Sequence, residues 1–201
     1  MSEIPTEIQP IAGLAEAIAR YGRPLERSFT LEVRAETLRY WRMRRKRAEV
    51  VILLRRLNGR YLVHTKGFYP PGVYRLISGA LKPGEDLLAG LEREIHEETG
   101  LAVRVERFLA ILRYRFCYRE ESLPFTSYLF AVAELGGTLA LNDPGEAISG
   151  YREVELAELG ALAAQLEALP PEWSDWGRFR AIAHRVILEI LSPNHDDSPR
   201  Q

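Results

Sequence analysis

Between Gly79 and Leu101 the chain reads GALKPGEDLLAGLEREIHEETGL, and three glutamates, Glu94, Glu97 and Glu98, crowd its second half behind Arg93. On a helix, which turns about 100° per residue, these three carboxylates fall within roughly a third of the circumference. Beside them Leu88, Leu91 and Ile95 make a narrow apolar stripe, so one side anchors and the other presents acid. Like charges three and four residues apart destabilise a helix by a few tenths of a kcal/mol per pair unless a cation sits among them. The spacing therefore asks for a divalent metal. Carboxylate oxygens suit hard ions such as Mg²⁺ or Mn²⁺, which keep part of their water shell and bridge to substrate phosphates. The bland alternative is an acidic helix face that only solvates itself. Arg93 has a planar fork for a carboxylate, and Glu85, two turns earlier, is its expected partner. Gly90 lies on the glutamate side; a glycine inside a helix costs about 1 kcal/mol relative to alanine, which points to close packing or an approaching ligand.

The elements that must position this face can be read from periodicity. A short helix is expected within residues 10–21, with Gly22 as its C-terminal cap. RSFTLEV alternates as a strand; AEVVILLRR and YLVHTK flank Asn58-Gly59, a pair that tolerates the positive φ angles of a type I′ hairpin. GFYPPGV at 67–73 is a loop because its prolines remove ladder donors. YRLIS resumes the sheet, and the acidic stretch reads as a helix from Pro83-Gly84 to Thr99, with Gly100 at the place of a C-cap. RFLAILRYRFCYR and TSYLFAVAEL are β-rich segments around EESLP, TLAL at 138–141 is a further short strand, and NDPGEAISG is a loop. Two helices, within 155–169 and 175–191, close the chain. Strands interrupted by one helix and followed by two more predict an α/β fold, a mixed sheet covered by helices on both faces. Residues 1–46 form an N-terminal extension with a helix and a strand, residues 47–192 the main domain, and residues 193–201 a disordered tail.

Composition narrows the class. The chain has 201 residues, with 27 basic and 28 acidic side chains and a net charge of -1, so bulk charge selects no partner. Basic residues concentrate between 34 and 66, above all in RMRRKR at 42–47. Without an RNA-binding or zinc-finger signature, that run argues for a solvated face or strand flank over a nucleic-acid site. No apolar run reaches the eighteen or so residues of a membrane span. The start lacks the pattern of a secretory signal, and Cys117 is the sole cysteine, so a cytoplasmic protein is expected.

The spacing from Gly79 through Glu85, Arg93, Glu94, Ile95, Glu97, Glu98 and Gly100 to Leu101 resembles the Nudix box. Resemblance to Nudix hydrolases implies an α/β/α sandwich with a loop-helix-loop metal site. It further implies Mg²⁺- or Mn²⁺-dependent hydrolysis of a nucleoside diphosphate linked to another group, by water attacking phosphorus. Glu94, Glu97 and Glu98 would be metal ligands, with the backbone of Gly79 near the metal; Arg93 and Glu85 would orient the glutamates. Glu94 and Glu97 are candidates for the general base, as is Glu146 on the later loop. Two departures bear on loop geometry and substrate: Ile77-Ser78 replaces the usual Pro-Gly, and the tryptophan common in the later segment is absent from YREVELAEL.

Substrate clues lie outside the box. Tyr118 stands where dinucleoside polyphosphate hydrolases of the family carry a tyrosine, although it alternates with Arg113, Arg115 and Cys117 as a core strand would. Arg113, Arg115 and Lys66 are candidate phosphate contacts. Phe116 and Cys117 occupy the place of the proline that marks many ADP-ribose hydrolases. His64 reads as a strand residue, and Trp41, Trp173 and Trp176 as packing anchors. The expected partner is a small nucleotide, without membrane or nucleic acid; homodimerisation is a family-like expectation. The competing readings are a Nudix-fold ligand sensor and an RNA 5′-end pyrophosphohydrolase.

Overall fold

A computed structural model of the chain describes residues 11–44, 46–140, 145 and 147–192. Its elements run α1 (Leu14–Tyr21), β1 (Leu25–Glu32), α2 (Ala35–Arg44), β2 (Ala48–Arg55), β3 (Tyr61–Lys66), β4 (Arg75–Ala80), α3 (Leu87–Thr99), β5 (Leu101–Tyr118), β6 (Glu121–Gly137), β7 (Ile148–Val154), α4 (Glu158–Glu167) and α5 (Ser174–Leu191). The seven strands form one sheet in the order β1-β5-β6-β2-β4-β3-β7. It is mixed: β1 runs parallel to β5 and β2 parallel to β6, while the other pairs are antiparallel.

Side-chain alternation along β2 makes the sandwich. Val50, Ile52 and Leu54 face a core shared with Leu87, Leu91 and Ile95 of α3. Val51 and Leu53 face the opposite core, shared with Trp41 of α2 and with Leu159, Phe179 and Val186 of the last two helices. A strand buried on both sides has an apolar run rather than an alternating one, which is what VVILL reads as. The fold is therefore an α/β/α sandwich. None of the described helices is long and apolar enough to cross a membrane.

Several boundaries differ from the sequence reading, each for a local reason. The acidic helix starts at Leu87, not at Pro83-Gly84, because Gly84 turns at φ 76° and Asp86 caps the helix by accepting from the Leu88 and Ala89 amides. The first helix likewise begins after Gly13, at φ 79°. At the β2–β3 hairpin Gly59 has positive φ and Asn58 does not; the Gly59 amide bonds to Arg56 O and the Arg56 amide to Arg60 O. This is a wider turn than type I′. Residues 121–124 of EESLP belong to β6, so β5 and β6 meet at a tight turn where Arg119 takes φ 53°. Thr138, Leu139 and Ala140 form no strand: the paired ladder ends where Gly137 meets Leu101, the Ala140 amide bonds to Thr99 O at 2.9 Å, and Leu141 lies outside the described residues. Ile148, Ser149 and Gly150, expected in a loop, belong instead to β7, and α2 has no counterpart in the sequence reading. Only Leu38 and Trp41 of α2 are buried, so it carries almost no periodic signal.

Close approach of α5 to the end of α4 depends on Gly177, where an added Cβ would stand 2.1 Å from the Leu166 carbonyl oxygen. Backbone cannot yield as a side-chain tip can. Gly177→Ala is expected to cost about 1–3 kcal/mol, read as a lower urea midpoint; an unchanged midpoint would contradict this packing.

His184 of α5 is buried, its Nδ1–H donating to Arg180 O at 2.9 Å and its Nε2 accepting the Leu76 amide at 3.2 Å. Only the neutral ring makes both bonds, and burial pushes its pKa down to about 4 from 6.5. Between those values the unfolded chain holds a proton that the folded one does not. Stability therefore falls as pH drops through this window, by about 1.4 kcal/mol per unit for this ring. Urea unfolding at about pH 7 and about pH 5 should show a smaller acid loss in His184→Gln than in the wild type. Equal losses would remove His184 from the pH response.

Candidate functional site

The carboxylate face is built on one helix and bounded by two strands. Arg93 organises its N-terminal half: Nε and Nη2 hold Glu85 in a two-bond fork at 2.7 and 2.9 Å, and Nη1 donates to Glu94 at 2.8 Å and Glu97 at 2.7 Å. Nη2 also reaches Ala80 O at 3.2 Å, which ties the helix to the end of β4. The guanidinium holds Glu85 below the usual carboxylate range, and the three glutamates raise the pKa of Arg93 in return. Gly90 serves close packing, since an added Cβ would meet Leu81 Cδ2 at 2.3 Å and Glu85 Oε2 at 3.1 Å.

Glu94 and Glu98 are buried carboxylates, at 4% and 0% exposure, whereas Glu97 sits at the rim. Glu94 fills the place of the side chain that Gly79 lacks: an added Cβ would lie 1.7 Å from its Oε2. Glu98 faces β3, where Lys66 Nζ donates to its Oε1 at 3.2 Å and His64 Nδ1 stands 3.7 Å from its Oε2. Burial, with the positive charges of Arg75, Lys66 and Arg180, keeps His64 neutral far below its ordinary pKa. Gly100 closes the helix at φ 67° with its amide on His96 O.

Among the described residues no three His, Cys, Asp or Glu side chains stand ready as a metal cluster. Arg93 and Lys66 instead occupy the carboxylates. The donor chemistry nonetheless fits a hard divalent cation: two buried carboxylates and a third beside them, of which Glu94 lines, next to Gly79, a cleft of about 330 Å³. That volume lies in the range of small-molecule sites. The cleft is also lined by Ser78, by Glu49 paired with Arg180 at 2.7 Å, by Lys66, and by the exposed rings of Tyr40 and Phe68.

Of the four substrate contacts expected from the sequence, the fold brings Lys66 alone to this cleft. Arg113 is paired with Glu26 of β1 at 2.5 Å, Arg115 lies exposed on β5 opposite Thr30, and Tyr118 packs on the core beneath the Arg119 guanidinium. None of these three lines the cleft. Alternation along β5 and the sheet order decide this: Tyr114, Phe116 and Tyr118 turn to the core, Arg113 and Arg115 turn away from it, and two strands, β6 and β2, stand between β5 and β4. Glu146 lies outside the described residues, although Gly145 beside it lines the cleft. Trp41 and Trp176 pack as expected, on Phe116 and Tyr69, and both also reach the cleft wall. Sequence reasoning missed Tyr40, Arg44, Phe68 and Arg180, which come from three separate elements and share no motif.

The family model described as the NUDIX domain matches residues 45–177. The chain belongs to the Nudix family. Among curated relatives, NAD-capped RNA hydrolase NudC of Haemophilus influenzae is 26% identical over 148 residues, which are 73% of this chain and 49% of that protein. The chain thus spans about half the length of the curated relatives it matches. Among solved structures, a NUDIX hydrolase from Nitrosomonas europaea is 17% identical with TM-score 0.48, covering 70% of this Nudix chain and 88% of its own. An ADP-ribose pyrophosphatase from Streptococcus suis 89-1591 is 15% identical with TM-score 0.44, the shares being 75% and 95%.

Proposed function

We propose that this Nudix protein hydrolyses the pyrophosphate linkage of a small nucleoside diphosphate derivative, with Mg²⁺ or Mn²⁺ and with water attacking phosphorus. The hydrolase class follows from family membership. The observation that carries the reading is Glu94 packed under Gly79 in the lining of a cleft that also holds Lys66, with Glu98 bonded to that lysine and Glu97 tied to Glu94 through Arg93. When bound by these carboxylates, a divalent cation would offset diphosphate charge and acidify the attacking water. Glu94 and Glu98 are buried, so their charge is poorly screened and is strongly felt by a cation. Arg93 holds Glu94, which lines the cleft, together with Glu97, and is fixed in turn by its fork to Glu85. Lys66 supplies a positive charge for a phosphoryl oxygen from the β3 side. The missing Cβ of Gly79 leaves room for the carboxylate beneath it.

The proton of the attacking water goes to a carboxylate, Glu146 on the later loop or else Glu94 or Glu97. If Glu146 takes it, Glu146→Gln lowers kcat by about a hundredfold or more while the Mg²⁺ concentration needed for half-activity stays put. A rate restored by added Mg²⁺ makes Glu146 a ligand, and an unchanged rate returns the base to the helix.

The reading is tested with ADP-ribose, dinucleoside polyphosphates, nucleoside triphosphates, NADH and coenzyme A, each with Mg²⁺, Mn²⁺ or EDTA, products identified by mass. Metal-dependent release of a phosphomonoester product from at least one is expected; no cleavage of any, or cleavage unaffected by EDTA, would overturn it. A second reading, action on an RNA 5′ end, is favoured by the kinship with the NAD-capped RNA hydrolase and by Arg44 and Lys46 at the cleft. It requires RNA binding that weakens steeply with salt, where a small nucleotide shows a shallow response.

A further inference from the structure

The cleft is walled in part by residues outside the stretch that matches the family. Residues 45–177 match the NUDIX domain, whereas Tyr40, Trp41 and Arg44 belong to α2 before it and Arg180 to α5 after it. These two elements are joined. Asp175 Oδ2, buried at the start of α5, accepts from the Arg34 amide at 2.8 Å, Thr37 Oγ1 at 2.7 Å and Arg34 Nε at 3.1 Å, which caps and orients α2. One turn on, Trp41 stacks on Phe116 and meets Phe179 edge-on at 5.6 Å. Helix α2 is thereby fixed against the cleft by groups that have no part in the carboxylate face.

What α2 presents there is unusual for a surface. Tyr40 is 52% exposed and Phe68, on the β3–β4 loop, is 61% exposed, yet both line the same cleft. A single exposed aromatic needs no explanation, but two from separate elements converging on one concave site do. The Arg44 guanidinium lies over the Tyr40 ring at 5.1 Å, so this ring face already accepts a flat cationic group. Of the five basic side chains that line the cleft, Arg180 is paired with Glu49 and Lys66 with Glu98, while Arg44, Lys46 and Arg75 add positive charge that favours an anion. Flat apolar rings beside guanidinium and ammonium groups match a planar base carrying a phosphate.

We propose that Tyr40 and Phe68 form the recognition wall for the substrate's nucleobase, with Arg44 and Lys46 serving the anionic group next to it. This rests on the pyrophosphohydrolase reading and deepens it, by placing base recognition on α2 and the β3–β4 loop.

The test is calorimetric titration of the full chain, without divalent metal, using AMP, GMP, CMP and UMP, with ribose 5-phosphate as the base-free control. At least one nucleotide should bind about fivefold or more tighter than ribose 5-phosphate. Tyr40→Ala and Phe68→Ala should each cut that preference by about fivefold and leave ribose 5-phosphate binding unchanged. Both side chains are exposed, so the variants should keep the wild-type melting temperature. A preference below about fivefold for every nucleotide, or one that survives both substitutions together, would overturn the proposal. Because binding is read without metal, the two readings fail separately. Base preference without any hydrolysis sinks the activity reading alone, and hydrolysis with an undiminished preference in the double variant sinks the recognition wall alone.

Discussion

Glu94→Gln is expected to lower kcat by about a thousandfold or more, equivalent to about 4 kcal/mol of transition-state stabilisation, with the fold retained. An amide is uncharged and a weak donor to a hard cation, and outer-shell changes alone cost metalloenzymes about tenfold to a hundredfold. Glu94 is the ligand candidate best suited to the test, because glutamine fills the same buried space under Gly79. Glu98→Gln would also leave the Lys66 ammonium buried beside a neutral amide, so stability and chemistry would change together. Circular dichroism and turnover of the best substrate, measured on the same preparation, separate the two effects. Full activity in folded Glu94→Gln would remove that carboxylate from the metal site.

Gly79→Ala is the second large effect. The new methyl would stand 1.7 Å from Glu94 Oε2 and 1.8 Å from its carboxyl carbon, so the carboxylate must swing away. A displacement of about 1 Å at a reacting centre can cost about a hundredfold in rate, and a loss of that size in kcat is expected here. The clash is with the end of a flexible side chain, not with backbone, so the melting temperature should fall far less than in Gly177→Ala, which meets a carbonyl oxygen. Kinetics and thermal unfolding of the two variants together form the check. Equal loss of stability with kcat retained in Gly79→Ala would contradict the account of Gly79.

The core of the sandwich was legible because its signals are local. VVILL announces a strand covered on both sides, and the Gly79-to-Leu101 spacing places apolar and acidic stripes on one helix. The partnership of Arg93 with Glu85 also followed from spacing, two turns apart on a loop and helix that must meet. What was not legible depends on distant residues. Helix α2 exists because Asp175, far along the chain, caps it and an aromatic cluster receives Trp41. Strand β7 gains its identity by pairing with β3, which no feature of ISGYREV declares. Arg113, Arg115 and Tyr118 looked like substrate contacts on position alone; the sheet order puts two strands, β6 and β2, between β5 and β4, and none of the three lines the cleft. The aromatic wall was hidden for the same reason, since Tyr40 and Phe68 share only a place in the fold.

In the proposed reaction water attacks phosphorus at the carboxylate face. Hydrolysis of the best substrate in H₂¹⁸O with Mg²⁺ tests it most directly, the products and the intact protein being weighed by mass spectrometry. One ¹⁸O is expected in a single phosphate-bearing product, attached to phosphorus, with the protein mass unchanged. Label on the carbon of the leaving sugar instead, or a phosphorylated protein, would contradict it.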